Sequence, residues 1–172
     1  MGKYISEYIK IHSEKKYGIS GTQLVDPLIS VIDKESKSIL DYGCGQAGTA
    51  KQMGEKLGLT DIGEYDPAIP GKDVLPDRDY DTVICTDVLE HVPENELPEL
   101  FTNVWGLADK EALFIVCLRL AGEILPCGDN AHCTVQPKEW WEKQLSGVWE
   151  NVEYLPQPPL SKKFLLAAFK CS

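Results

Sequence analysis

The residues best suited to do chemistry in this chain begin at a glycine-rich turn. The segment Ile39–Gly48 reads ILDYGCGQAG, so an apolar pair leads into the spacing Gly-x-Gly-x-x-Gly. Glycines at this spacing permit a tight turn and let a ligand approach the backbone. Asp41 stands just before the turn, where its carboxylate would repel a pyrophosphate but attract an ammonium or a sulfonium. We therefore expect S-adenosylmethionine rather than a dinucleotide. The residues expected to contact it here are Asp41, Tyr42, Gly43, Cys44, Gly45 and Gln46.

Further cofactor contacts are expected after the next two strand-like segments. Asp66 ends the first of these two segments, the second strand of the chain, where a carboxylate can accept hydrogen bonds from both ribose hydroxyls, although it could instead begin a turn with Pro67. Asp73 is equally consistent with facing the adenine amino group and with being a solvated loop carboxylate. The residues expected to line the pocket after the third strand are Asp87, Val88 and Leu89, and the last two are also compatible with simple core packing.

Carboxylates and imidazoles follow in a pattern that can move a proton or bind a metal. Glu90 and His91 adjoin the pocket segment, and His132 lies in a later loop. We interpret His91 and His132 as the candidate acid–base residues; a hydrogen-bonded rim is the simpler alternative to a metal site, and the metal is left unknown. Because adjacent helical side chains diverge by roughly 100°, one tryptophan of the pair 140–141 should enter the core. The predicted substrate contacts are Glu90, Asn130 and Trp141.

Strand-like and helix-like segments alternate along the chain, which predicts an α/β fold with a mostly parallel sheet. The predicted strands are Ser38–Tyr42, Ile62–Tyr65, Asp81–Thr86, Ala112–Leu118, Val148–Tyr154 and Phe164–Phe169. Residues 67–80 hold three prolines, so the usual crossover helix there is expected to be trimmed to a loop, with a short strand near Asp73–Val74. Asp26 is expected to cap a helix that has Pro27 in its first turn. Residues 3–16 predict an amphipathic helix, and residues 1–20 are a candidate lid.

Composition limits the classes of function. The 172 residues fit one domain, 1–172, and carry a formal net charge of −10, which disfavours duplex nucleic acid as a partner. No apolar run is long enough to span a membrane, and the six cysteines lack Cys-x-x-Cys spacing. We expect a reduced, cytoplasmic protein that acts on a small molecule and is free to form homo-oligomers.

Three strings in the chain resemble class I S-adenosylmethionine-dependent methyltransferases. SILDYGCGQAG is similar to their first motif, GEYDPA to the acidic end of their second strand, and YDTVICTDVLEHVPENEL to their fourth-strand motif. The compact arrangement looks like small uncharacterised members from bacteria and phages. The resemblance implies a Rossmann-like sheet of seven strands whose last strand is antiparallel. It implies cofactor contacts at Asp41, Gly43, Gly45, Asp66 and Asp87–Leu89.

Some of those relatives, which methylate ubiquinone precursors or RNA ends, carry Glu-x-x-Glu-His and bind a metal there. Asp87 stands here in place of their first Glu, and His132 would complete the set. Our leading hypothesis is methyl transfer to an oxygen or nitrogen of a small molecule. The alternatives are a non-catalytic cofactor-binding partner subunit and metal-assisted 2′-O-methylation of an RNA end.

Overall fold

A computed structural model describes residues 2–14, 17–155 and 163–170. The helices are α1 (Ile5–Glu14), α2 (Val25–Val31), α3 (Thr49–Leu57), α4 (Leu97–Leu107) and α5 (Lys138–Leu145), with short 3-10 turns at Ser20–Leu24 and Leu89–His91. The strands are β1 (Ser38–Tyr42), β2 (Asp61–Tyr65), β3 (Tyr80–Thr86), β4 (Ala108–Cys117), β5 (Asn151–Tyr154) and β6 (Lys163–Phe169). None of the described helices is both long enough and apolar enough to cross a membrane.

The six strands form one sheet in the order β2-β1-β3-β4-β6-β5. Strands β1 to β4 pair in parallel, whereas β6 is antiparallel to both β4 and β5. The predicted mostly parallel sheet with an antiparallel last strand is therefore confirmed. Because parallel strands share their carboxyl edge, the segments that follow β1, β2, β3 and β4 converge on one end of the sheet.

Both faces of the sheet are covered. Successive side chains of a strand point to opposite faces, so a buried apolar strand needs a packing layer on each side. Leu40 and Val83 belong to a core cluster with side chains of α4 and α5. Their neighbours Ile39 and Ile84 point to the other face and pack against α2 and α3. Tyr4 and Ile11 of the N-terminal segment form a third, smaller cluster with Leu125 and Ala131. That cluster attaches α1 to the loop that follows β4.

The trimmed crossover is also confirmed, because the described chain between β2 and β3 contains no helix. Turns hold it instead: the amide of Asp66 donates to Lys72 O at 2.9 Å, and that of Ile69 donates to Asp66 O at 3.1 Å. The short strand expected near Asp73–Val74 does not form, so six strands are described where the resemblance implied seven. Prolines at positions 67, 70 and 76 lack the amide that a further ladder would need.

Two helix starts differ from expectation. Helix α2 begins at Val25, and Leu24 stands at the N-cap without a side-chain hydrogen bond. Asp26 lies in the first turn and bonds Lys56 at 2.6 Å, so its carboxylate serves a contact with α3 rather than a cap. Helix α1 begins at Ile5 instead of residue 3, and residues 15 and 16 of the predicted helix lie outside the described residues.

Candidate functional site

A cavity of about 590 Å³ opens at the carboxyl ends of β1, β2, β3 and β4. The N-terminal segment and the loop after β4 form its other walls. Of the predicted site residues, the ones that line the cavity are Tyr42, Gly43, Gly45, Asp66, Asp87, Val88, Glu90, His91 and His132. The sheet therefore brings together candidate cofactor residues and both candidate acid–base residues.

The glycine turn has no room for side chains at two positions. Gly43 has φ +78°, and a Cβ there would lie 2.4 Å from Val88 Cγ2. Gly45 has φ +52°, and a Cβ there would lie 2.6 Å from the carbonyl oxygen of Gly18. Both backbone conformations favour glycine, and both close approaches need it. Backbone atoms of the turn thus form one wall of the cavity. A ligand in the cavity can therefore contact the backbone directly.

Asp66 is held where β2 ends. Its carboxylate accepts hydrogen bonds from the amides of Gly45 and Ala68, each at 2.9 Å, and the residue is buried yet lines the cavity. Each carboxylate oxygen retains capacity to accept a further hydrogen bond. This geometry suits a group that must bind adjacent hydroxyls.

Asp41 lies beneath the turn rather than on the cavity wall. It is 2% exposed and accepts a hydrogen bond at 3.3 Å from the amide of Ala50 near the start of α3. Burial raises the pKa of its carboxyl to about 7, and Glu64 adds to that effect. Asp41 therefore supports the glycine turn from below.

Four other expected cofactor contacts also lie off the cavity wall. Cys44 is buried next to Lys72, and Leu89 is fully buried in the core. Gln46 is exposed and its amide bonds His12, while Asp73 accepts a hydrogen bond at 3.0 Å from Gly71 within the proline loop. These side chains organise the turn, the core and the loop around the cavity.

The two histidines meet in the cavity. Their ring centroids are 4.6 Å apart in an edge-to-face arrangement. Nδ1 of His91 lies 2.9 Å from the carbonyl oxygen of Ala131, and Nδ1 of His132 lies 2.5 Å from that of Arg119. A carbonyl only accepts, so each Nδ1 carries the proton and each Nε2 keeps its lone pair. The Tyr8 hydroxyl also reaches His91 Nδ1, at 2.9 Å.

Burial keeps both imidazoles neutral near pH 7. It lowers the pKa of His91 to about 4, with a further contribution from neighbouring His132. It also lowers the pKa of His132, which the bond to Arg119 partly offsets. Both residues can therefore accept a proton at Nε2, and His132 is the less strongly shifted of the two.

Two carboxyl groups, one fully buried and one partly buried, adjoin the histidines. Glu90 is fully buried, accepts a hydrogen bond from the amide of Cys117 at 3.1 Å, and leaves Oε2 without a partner. Burial raises the pKa of the Glu90 carboxyl to about 8, and Asp87 adds to the effect. Asp87 has φ +55° and accepts hydrogen bonds at Oδ2 from Ser20 and Lys163, whereas its Oδ1 has no partner.

Two predicted substrate contacts lie away from the cavity. Trp141 is fully buried and donates from its indole nitrogen to Gln136 O at 3.2 Å, so it is a core residue. Asn130 uses its side chain to tie the loop after β4 together, with bonds of 3.0 Å to Ala121 and His132. The expectation that these side chains contact the substrate is therefore corrected: one completes the core and the other holds the loop.

Several cavity residues were not singled out from the sequence. Tyr17 stacks on Tyr8 with ring centroids 6.1 Å apart and supplies an aromatic part of the cavity wall. Cys117 ends β4, and Lys163 begins β6 opposite it in the ladder. Only Tyr8 had a sequence signal, its position on the apolar face of α1. The other three, Tyr17, Cys117 and Lys163, reach the cavity through tertiary structure.

A metal site of the kind implied by Glu-x-x-Glu-His does not fit these residues. One donor atom each from Glu90, Cys117 and His132 lies within 4.8 Å of the others. However, Asp87, which the resemblance puts in the metal set, is already bonded to the Lys163 ammonium. The Lys163 ammonium is a positive charge beside these donors, so a divalent cation there would meet a like charge.

Comparison with known proteins identifies the family. A model of the methyltransferase domain matches residues 21–142, and the chain belongs to that family. No curated protein sequence matches this chain. The chain is therefore an enzyme of the predicted class, the class I S-adenosylmethionine-dependent methyltransferases. The prediction that its cofactor is S-adenosylmethionine is also confirmed.

Solved structures share the fold at low sequence identity. Magnesium protoporphyrin IX methyltransferase from Synechocystis PCC 6803 with bound S-adenosylhomocysteine has a TM-score of 0.61 and 16% identity, over 99% of this chain and 89% of that chain. A DhpI–S-adenosylhomocysteine complex has a TM-score of 0.62 and 11% identity, over 96% of each chain. Human N-acetylserotonin methyltransferase with S-adenosylmethionine has a TM-score of 0.66 and 14% identity, over 98% of this chain but 58% of its own.

Proposed function

We propose that this enzyme transfers a methyl group from S-adenosylmethionine to an oxygen or nitrogen of a small molecule. The observation that carries the proposal is one continuous cavity that runs from the glycine turn to two neutral histidines. The cofactor supplies a methyl group that its sulfonium already activates. The protein then has to align the acceptor and exclude water. It needs a base only if the acceptor must lose a proton.

The cofactor end of the cavity is proposed at the turn and the end of β2. The close approaches at Gly43 and Gly45 leave backbone at the wall, and Asp66 retains acceptor capacity for the ribose hydroxyls. Asp87 Oδ1 is buried and has no partner, which fits an acceptor for the amino group of the cofactor's methionine part. These residues fit the cationic end of the cofactor, because the groups around it are neutral or negative. The exception is Lys163, whose charge is paired with Asp87.

His132 is the proposed general base. Its Nδ1–H is fixed by Arg119 O, so Nε2 is the atom that would take a proton from the acceptor. His91 is buried more deeply and its pKa is lowered to about 4, which makes it a weak base. Its expected role is to orient the acceptor by a hydrogen bond to Nε2. The orphan Oε2 of Glu90 is a second polar contact offered to the acceptor.

A small acceptor is supported by the shape of the site. A volume of about 590 Å³ lies within the range of small-molecule pockets. Tyr4 and Tyr8, beside and within α1, line the cavity and bond Asp129 and Ala131 of the opposite loop, at 2.6 and 2.8 Å. We infer that residues 1–20, of which 2–14 and 17–20 are described, act as a lid. The net charge of −10 argues further against a large nucleic acid.

Transfer itself is the experiment that separates this proposal from a non-catalytic partner subunit. The isolated chain is incubated with S-adenosylmethionine and a panel of small hydroxyl and amine compounds, and release of S-adenosylhomocysteine is measured. We expect turnover with at least one acceptor, and a fall of about a hundredfold or more in His132→Gln, the usual size of a lost general base. Cofactor affinity should stay within a few fold of the wild type.

His12→Gln is the matched control, because His12 is a third histidine on the cavity wall that lies by the glycine turn instead of beside Glu90. Its turnover should remain close to the wild type. Equal turnover of His132→Gln and the wild type would refute the base assignment. Absence of transfer from the whole panel, with normal cofactor binding, would favour the partner-subunit alternative.

A further inference from the structure

Lys163 is a charged residue on the cavity wall to which the proposed methyl transfer assigns no role. It begins β6, pairs with Cys117 across the antiparallel ladder, and lines the cavity. Its ammonium forms an ion pair with Asp87, and the two side chains are only 21% and 14% exposed. An ion pair with so little exposure to solvent is screened by salt less than one on the surface.

Asp87 is fixed in the geometry that this pair requires. Its backbone has φ +55°, an uncommon conformation for a residue other than glycine, and its amide donates to Ile115 O at 2.8 Å. Ser20 donates a second hydrogen bond to the same carboxylate oxygen, at 2.8 Å. The Asp87 carboxylate is therefore committed on one side to the lysine and the serine.

The ammonium also stands beside the donors that would otherwise suit a metal. Glu90, Cys117 and His132 each offer one atom, and these atoms lie within 4.8 Å of one another. The charge of Lys163 acts electrostatically on both Glu90 and His132. A divalent cation among these three donors would meet a like charge at close range, with its natural counter-charge, Asp87, already neutralised.

We propose that Lys163 is the built-in cation of this site and that it excludes a divalent metal from Asp87, Glu90, Cys117 and His132. A fixed ammonium can stabilise negative charge that develops on an acceptor oxygen as its proton leaves. That consequence rests on the proposed methyl transfer, whereas metal exclusion does not. Lys163 also holds the Asp87 carboxylate in place through their ion pair.

Cobalt binding tests the proposal without any methyl acceptor. Co²⁺ is titrated into the ligand-free wild type and into Lys163→Met, and thiolate-to-cobalt absorption in the near ultraviolet reports ligation by a cysteine. We expect no such band in the wild type. We expect a band in Lys163→Met, with an affinity at least about a hundredfold higher, because the like charge is gone. Adding Cys117→Ser to that variant should abolish the band.

Two further variants are the controls. Lys163→Arg keeps the charge and should resemble the wild type. Lys72→Met removes another half-buried lysine, one that pairs with Glu64 at 3.1 Å and lies 3.7 Å from Cys44 Sγ, and it should also resemble the wild type. If Lys163→Met does not fold by circular dichroism, Lys163→Gln replaces it. A cobalt band in the wild type overturns the proposal, and so does a folded, uncharged variant that binds cobalt no better.

Discussion

Replacing Glu90 with glutamine should make the protein more stable at neutral pH. The carboxyl group is fully buried and has one orphan oxygen, and its pKa is raised from 4.5 to about 8, chiefly by burial. In the unfolded chain this group loses its proton near pH 4.5, whereas in the folded chain it keeps it up to about pH 8. Between those values the folded state binds more protons, so stability falls as the pH rises.

The size of the effect follows from the gap between the two pKa values. The penalty grows by ~1.4 kcal/mol for each pH unit above 4.5, which gives about 3 kcal/mol at pH 7. Glutamine has the same shape and no proton to lose, so the Glu90→Gln variant avoids this penalty. The pH dependence that His91 contributes is common to both proteins and cancels in the difference.

Urea unfolding followed by circular dichroism at pH 5, 6, 7 and 8 measures the difference. The Glu90→Gln variant should be close to the wild type at pH 5 and progressively more stable up to pH 8. Glu55→Gln, an exposed position on α3, controls for the loss of a glutamate on the surface. A difference that does not change with pH, or a variant that is less stable at pH 8, would refute the reasoning. The Glu90→Gln variant should also lose transfer activity, because it changes the proposed contact between Glu90 and the methyl acceptor.

Two further predictions concern cofactor binding. Asp66→Ala removes the proposed ribose acceptor and leaves the amides of Gly45 and Ala68 without their partner, so affinity for S-adenosylhomocysteine in calorimetry should fall about tenfold or more. An unchanged affinity would contradict the ribose assignment. Gly43→Ala forces a Cβ to within 2.4 Å of Val88 and should abolish measurable binding, whereas Gly58→Ala, at φ +72° with nothing within 4 Å, should bind normally. Equal loss in both variants would mean that backbone strain, not the contact with Val88, is responsible.

The parts of the site that depend on sheet topology were predictable from sequence. The glycine turn, Asp66 and the Asp87–His91 segment each follow a strand, and parallel strands must present those positions at one edge. The trimmed crossover was predictable because prolines exclude both a helix and a ladder there. These inferences need only local patterns and a general rule of α/β folds.

The parts that depend on packing were not predictable in the same way. Whether Trp140 or Trp141 enters the core is set by how α5 rotates against the sheet, and its sequence does not fix that rotation. Lys163 reaches the cavity because β6 runs antiparallel to β4 and pairs it with Cys117, a register decided by tertiary structure. Asp41 was expected to face a ligand, but burial of the strand end turns its carboxylate to the start of α3.

The central claim is that a cavity walled by the glycine turn takes a cationic sulfur-bearing nucleoside, and isothermal titration calorimetry tests it most directly. Titrated separately with S-adenosylmethionine, S-adenosylhomocysteine and NAD, the wild type should bind the first two at one site per chain and ignore the third. Binding of NAD in preference to both, or no heat from any of the three, would contradict it.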